Sequence, residues 1–363
     1  MNNKGAARLE KKVFFNGLKK AMVEYGIVAL TRKNDKVLFD FVHSIDNILH
    51  DFHPSVLSPK KFFFPKEEVI LKYTREGKVS STIEAKPAVL YGIRPCDLNA
   101  IKILDEAFSE NHGDPNYLSK RENSIIIGLD CKSLCNQDAF CFKVGSEYAD
   151  GIADIHLFDL GDDFAVLLQS SKGRDFMEKY NPAVRRQNRS FNKDTSLDVA
   201  DHESYCMEKK AAFAKEGKTF AGLEKLPEIF EKNRDHPVWD EEGKKCLSCG
   251  SCIVVCPTCY CFDLQDELSM DLKKGERLRR WDACMLHGFA EIAGGENFRP
   301  TAVNRLKHRI NRKFNYLMKK HGQSVCVGCG RCVRACLAEI SPDKIAGRIL
   351  NYPSEEPNSD SEK

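Results

Sequence analysis

Cysteine is the residue type whose spacing carries chemistry in this chain. Eleven of its 16 cysteines lie between Cys246 and Cys336, and eight of those repeat one pattern. The first copy is Cys246-x2-Cys249-x2-Cys252-x3-Cys256, followed by proline, and the second is Cys326-x2-Cys329-x2-Cys332-x3-Cys336. Three thiolates this close in sequence fold round one face of an iron–sulfur cube. The fourth starts a helix that leads away, so in two-cluster proteins it ligates the other cube. The spacing therefore assigns Cys246, Cys249, Cys252 and Cys336 to one [4Fe–4S] cluster, and Cys326, Cys329, Cys332 and Cys256 to a second. Gly250, Gly328 and Gly330 stand between the ligands, where close backbone approach and positive φ suit glycine. Zinc also uses Cys-x2-Cys, but usually as two well-separated pairs round a tetrahedral ion, which explains a tight triplet plus one poorly. Leu337 departs from the pattern, standing where proline usually follows the fourth cysteine.

Cys96, Cys131, Cys135 and Cys141 match no standard spacing, and the elements around them supply the argument. PAVLYGI is an apolar run of strand type, LNAIKILDEAF has helical period, and SIIIGLD is a second buried strand. Together they read as a β-α-β unit with a right-handed crossover and neighbouring parallel strands. Cys96 then follows the carboxyl end of the first strand and Cys131 that of the second, at the crevice where open α/β sheets bind ligands. Cys135 and Cys141 follow in one loop, so four thiols converge in a third cluster site. Two alternatives stay open: inert thiols packed as small apolar groups, and a structural zinc. Cys206 reads as a core residue of a helix, whereas Cys259, Cys261 and Cys284 lie beside the clusters with no geometric argument to choose their role.

The surrounding elements divide the chain. Residues 1–220 read as an α/β domain. In it, an amphipathic helix is expected over 6–25 and hairpins turn at Asn34 and at Gly161-Asp162-Asp163, with further helices at 173–180 and 197–215. Residues 221–245 are polar and helix-breaking, as in a linker. Residues 246–345 read as a mostly α-helical two-cluster ferredoxin-like domain, with helices over 283–293 and 301–321. The 70 positions from Cys256 to Cys326 are filled by helices rather than by a short connection. Residues 346–363, acidic and without apolar side chains from Asn351 on, form a disordered tail.

Composition bounds the reading. The 363 residues suit two or three domains, and 56 basic against 53 acidic side chains leave a net charge of +3, with no general reason to expect a polyanion partner. No apolar stretch approaches the roughly 18–20 residues needed to span a bilayer, and no signal core follows the basic start. The chain is expected to be cytoplasmic, where reduced cysteines bind metal or do redox chemistry. Motifs for dinucleotides, phosphates, zinc proteolysis or serine nucleophiles are absent, so no catalytic residue and no organic-cofactor residue is assigned. The stretch RLKHRINRKFNYLMKK carries many cations. It reads either as a solvated face or as a source of positive charge that lowers the cost of burying an anionic cluster.

The runs GIRPCDLNAIKILDEAF, IIIGLDC with a trailing FCF, CLSCGSCIVVCPTCYCFD, RRWDAC and CVGCGRCVRAC occur together here. In combination they resemble the β subunits of nickel–iron sulfhydrogenases and the A subunits of anaerobic sulfite reductases. They are also similar to iron–sulfur proteins that accompany flavin oxidoreductases serving heterodisulfide reductase. The resemblance runs from about residue 62 to residue 336. It implies an electron-transfer subunit of an anaerobic complex. A separate FAD- and NAD(P)-binding subunit exchanges electrons through it with a catalytic hydrogenase, sulfite reductase or heterodisulfide reductase subunit. A self-contained iron–sulfur reductase and an iron–sulfur regulatory nucleic-acid-binding protein are the rival readings.

Overall fold

The computed structural model describes residues 7–50, 54–182, 196–217, 219–220 and 223–351. A seven-stranded sheet organises the amino-terminal part, in the order β1-β9-β8-β7-β6-β2-β3. Its strands are β1 (Ala7–Glu10), β2 (Gly26–Lys33), β3 (Lys36–Phe41), β6 (Ala88–Ile93), β7 (Ser124–Leu129), β8 (Ile155–Asp159) and β9 (Asp163–Leu168). The central strands β2, β6, β7 and β8 are parallel, and antiparallel strands close both edges. Helices cover both faces, as parallel strands require. On one face α1 (Lys11–Ala21) and α4 (Ser171–Tyr180) set Phe14, Leu18, Phe176 and Met177 against Val89, Tyr91 and Ile127. On the other, α2 (Pro95–Ser109) buries Leu98, Ile101 and Leu104 against Val28, Leu90 and Ile126.

The unit β6–α2–β7 is the parallel crossover expected, with α3 (Pro115–Glu122) added before β7. Both expected hairpins form, β2–β3 turning at Asn34 and Asp35, and β8–β9 at Gly161. The first helix is shorter than its apolar period suggests. Residues 7–10 instead pair with β9, where an open edge offers backbone hydrogen bonds that a fraying helix end cannot match.

A second, four-stranded antiparallel sheet has the order β10-β11-β4-β5. It joins β4 (Glu67–Thr74) and β5 (Val79–Ser81) to β10 (Phe262–Leu268) and β11 (Lys274–Trp281). Strands from the cysteine-rich part were not expected, because FDLQDEL and KGERLRRW are dense in charge. Those charges pair across the strands, Arg277 with Asp266, Arg280 with Glu67 and Glu267, and buried Arg279 with Glu68; Arg279 also reaches Asp114, which caps the helix Pro115–Glu122. Cross-strand opposite charges stabilise a sheet without an apolar face.

The helical core gathers Leu226, Phe230, Trp239, Leu306, Ile310, Phe314, Ile345 and Ile349 round the cysteine loops. Helices Leu226–Lys232 and Val238–Lys245 belong to it, so the stretch read as a linker is packed on the cluster region rather than spanning open solvent. Helix Pro342–Leu350 buries Ala346 and Ile349, which moves residues 346–350 from the expected tail into the core. The rest of that tail lies outside the described residues. In place of the helix expected over 283–293 there is one short 3-10 turn, His287–Ala290, in a stretch interrupted by Gly288, Gly294 and Gly295. The expected helix over 301–321 does form, as Ala302–Asn311 and Leu317–His321 joined by a π-helical turn, Arg312–Tyr316. Among the described residues no helix is long and apolar enough to cross a membrane.

Candidate metal centre

The two repeated motifs adopt matching loops. In each, a glycine with positive φ follows the second cysteine, Gly250 at 75° and Gly330 at 71°, and starts a helical turn, Ser251–Val254 or Arg331–Arg334. These turns pack against each other. Cys246, Cys249, Cys252 and Cys336 line one cavity of about 30 Å³ together with Met285, Leu306 and Arg309, so a thiol of the second motif meets three of the first. Cys326 lies within electrostatic reach of Cys332, Cys256 and Lys313, and Cys329 within reach of Cys332.

Cys96, Cys131, Cys135 and Cys141 line a separate cavity of about 280 Å³. The topology explains the meeting: Cys96 opens α2 directly after β6, and Cys131 comes two residues after β7, at the carboxyl edge of the sheet. Cys329 also lines this cavity, which brings the second motif against the α/β site. Several contacts hold the two together. Phe140 N–H donates to the Gly328 carbonyl at 2.7 Å, and the Ser146 hydroxyl to the Val327 carbonyl at 2.6 Å. Arg331 clamps Asp97 with two bonds of 2.6 and 2.7 Å, both side chains fully buried. Before Cys131, the buried Asp130 accepts from Lys209 at 2.6 Å and lies 3.3 Å from His156. Lys209 belongs to helix Ser196–Glu216, which the site thereby recruits.

Basic side chains turn toward the cysteine loops rather than water. Arg305, Arg309 and Lys313, four residues apart along one helix, are all buried, Arg309 being 4% and Lys313 6% exposed. The solvated-face reading therefore fails for these three cations, whereas Lys319 and Lys320 of the same stretch are exposed. Lys60 is buried too, donating to the Cys256 and Cys259 carbonyls at 2.8 Å each. Among the described residues none of Lys60, Arg309 and Lys313 forms an ion pair with a carboxylate. A buried charge needs an opposite one, and the groups that favour the charged forms of Arg309 and Lys313 against burial are the thiols Cys252, Cys256, Cys259, Cys326 and Cys332. Buried thiols need positive charge in turn: burial pushes Cys252, near Arg309, to about 11, Cys131, near Arg94 and Lys209, to about 12, Cys329, near Arg331, to about 12, and Cys96, near Arg331, well up. A coordinating metal deprotonates a thiol outright, so the donor set fits iron–sulfur clusters. Among the described residues no three Cys, His, Asp or Glu side chains close tightly enough to hold a single metal ion.

The cysteines without a reading also cluster. Cys259, Cys261 and Cys284 line a third cavity, of about 250 Å³. Cys284 hydrogen-bonds to Cys261, which falls to about 6, and Cys259 hydrogen-bonds to Cys256. Cys206 lies instead on helix Ser196–Glu216, near His202 at 3.6 Å. Spacing alone could not reveal Lys60 or Asp97. The i, i+4, i+8 series of Arg305, Arg309 and Lys313 was visible in the sequence as a single helix face.

Residues 245–340 match the family of 4Fe-4S dicluster domains. Over 336 residues the chain is 34% identical to sulfhydrogenase 2 subunit beta of Pyrococcus furiosus, an alignment that covers 93% of this chain and 95% of that protein. No solved structure matches the chain. With its paired ferredoxin loops, its dicluster domain and a likeness that runs nearly from end to end, the chain belongs to the iron–sulfur electron-transfer subunit family that includes the sulfhydrogenase β subunits.

Proposed function

We propose that this protein relays electrons between two partner subunits of an anaerobic, cytoplasmic complex. One partner binds FAD and NAD(P)H, and the other is a catalytic redox subunit of hydrogenase, sulfite reductase or heterodisulfide reductase type. Bound [4Fe–4S] clusters supply one-electron transfer. In this reading Cys246, Cys249, Cys252 and Cys336 hold the first, Cys326, Cys329, Cys332 and Cys256 the second, and Cys96, Cys131, Cys135 and Cys141 a third.

Contiguity of the thiol sites is the observation that carries the reading. Cys329 of the second motif lines the Cys96 cavity, and Cys332 lies within electrostatic reach of Cys252 in the first. Each set thus has a thiol near one of the next. The chain's own part is positional and electrostatic. The Asp97–Arg331 clamp and the Gly328 contact hold neighbouring sites in register. Arg309 and Lys313 offset negative charge that burial would otherwise penalise. The apolar side chains of the helical core keep water and oxidants away.

Iron and acid-labile sulfide per chain after anaerobic purification test this, together with paramagnetic resonance of the reduced protein. About four irons should be lost in Cys131→Ser, and a purified FAD subunit should reduce the remaining clusters. Colourless or zinc-loaded protein sinks the reading. So does substrate turnover by the isolated chain without partners, which would make it a self-contained reductase.

A further inference from the structure

The cavity of about 250 Å³ lined by Cys259, Cys261 and Cys284 is nearly as large as the one lined by Cys96, Cys131, Cys135 and Cys141. Its thiols come together because the β10–β11 hairpin pairs Phe262 with Trp281, and the Asp282 N–H then donates to the Cys261 carbonyl at 3.0 Å. That closure sets Cys261 beside Cys284. Cations surround the cavity. Arg309, Arg312 and Lys313 line it, Arg312 donating to the Tyr260 hydroxyl at 3.1 Å and Lys313 to the Thr258 hydroxyl at 2.6 Å. Lys60 supports it from behind through the Cys259 carbonyl and packs over Trp281 at 4.4 Å. The π-helical turn Arg312–Tyr316 lies at this wall, and such turns concentrate at functional sites. Among the described residues none of Arg309, Arg312 and Lys313 forms an ion pair with a carboxylate.

We propose that Cys259, Cys261 and Cys284 hold a fourth iron–sulfur cluster in this cavity, beside the two of the ferredoxin motifs. The proposal rests on the reading that those motifs hold clusters. Three thiolates occupy three irons, and His308, which also lines the cavity, offers an imidazole nitrogen to the fourth. A Cys261–Cys284 disulfide is the bland use of the same thiols, but a disulfide is neutral, excludes Cys259, leaves Arg312 at the cavity wall without an opposite charge, and has no need of the cavity. A single zinc ion requires ligands closed to about 2.3 Å, which a cavity this wide does not offer.

Native mass spectrometry and iron analysis of the anaerobically purified full chain decide the matter. The unmodified chain should carry four clusters, about sixteen irons, and Cys261→Ser with Cys284→Ser should lose about four irons while retaining the resonance signals of the ferredoxin-motif clusters. An unmodified chain with three clusters, one of which is lost in Cys131→Ser, overturns the proposal, as does unchanged iron in the double variant, zinc at the site, or a disulfide between Cys261 and Cys284. The unmodified-chain count stands even where the double variant fails to fold. Loss of every cluster from the unmodified chain would mark failure of the underlying reading instead.

Discussion

Asp97 and Arg331 face each other in a bidentate ion pair that is fully buried, with bonds of 2.6 and 2.7 Å. Asp97 stands one residue after Cys96, and Arg331 lies between Cys329 and Cys332, so the pair ties the α/β site to the second ferredoxin loop. Asp97→Asn leaves the guanidinium buried without its counter-charge, which costs about 3–5 kcal/mol. Anaerobic urea unfolding should show that loss. The double variant Asp97→Leu, Arg331→Met should recover part of it, because neither charge then remains. Equal destabilisation by the single and double variants would mean that the pair does not couple the two sites.

Gly330 combines a φ of +71° with a tight backbone contact. A Cβ there would lie 2.7 Å from the backbone of Asp138. Gly330→Ala should cost at least the ~1–2 kcal/mol of left-handed backbone, and should push the 138–141 loop off the second motif, speeding iron loss to a chelator. Gly288→Ala is the control, since nothing lies within 4 Å of its Cβ position. It should stay within about 0.5 kcal/mol of the parent chain.

Lys313 reaches the Thr258 hydroxyl at 2.6 Å, and its ammonium is held charged by Cys256, Cys259 and Cys326 against the opposing pull of burial. Reduction adds negative charge beside it, and a cation favours the reduced form. Lys313→Met should therefore lower the potential of the nearest cluster by on the order of 50 mV, equivalent to about 1.2 kcal/mol for one electron. A redox titration followed by paramagnetic resonance reads this directly, and an unchanged or raised potential would contradict the electrostatic role.

Cys336 lines the cavity of Cys246, Cys249 and Cys252, while Cys256 lies within electrostatic reach of Cys326. Cys336→Ser should therefore alter the same resonance signal as Cys249→Ser, and Cys256→Ser the same signal as Cys329→Ser. If each fourth cysteine instead perturbed its own motif's cluster, the crossed arrangement would be wrong.

Much of the framework was readable from local patterns. The β6–α2–β7 unit, both amino-terminal hairpins and the long cation-bearing helix follow from periodicity and turn residues, which act over a few positions. The β10–β11 hairpin was missed because its strands are held by ion pairs such as Arg277–Asp266 rather than by an apolar face. The stretch 283–293 misled for the opposite reason, since its apolar residues have helical spacing but Gly288 interrupts it and Gly294-Gly295 follow at once.

Thiol spacing alone set the expected grouping of the cysteines of the two motifs, because cube geometry restricts a short loop to few solutions. The meeting of Cys96, Cys131, Cys135 and Cys141 also followed from sequence, since parallel strands joined by a helix must end at the same sheet edge. Tertiary structure alone decided which charges face those thiols. Lys60, Asp97 and Arg331 lie far from one another along the chain, and only packing brings Lys60 to the Cys259 carbonyl and Asp97 to Arg331. It likewise decided that Cys261 meets Cys284, because that encounter depends on a strand pairing fixed by charges that look, in sequence, like those of any solvated loop.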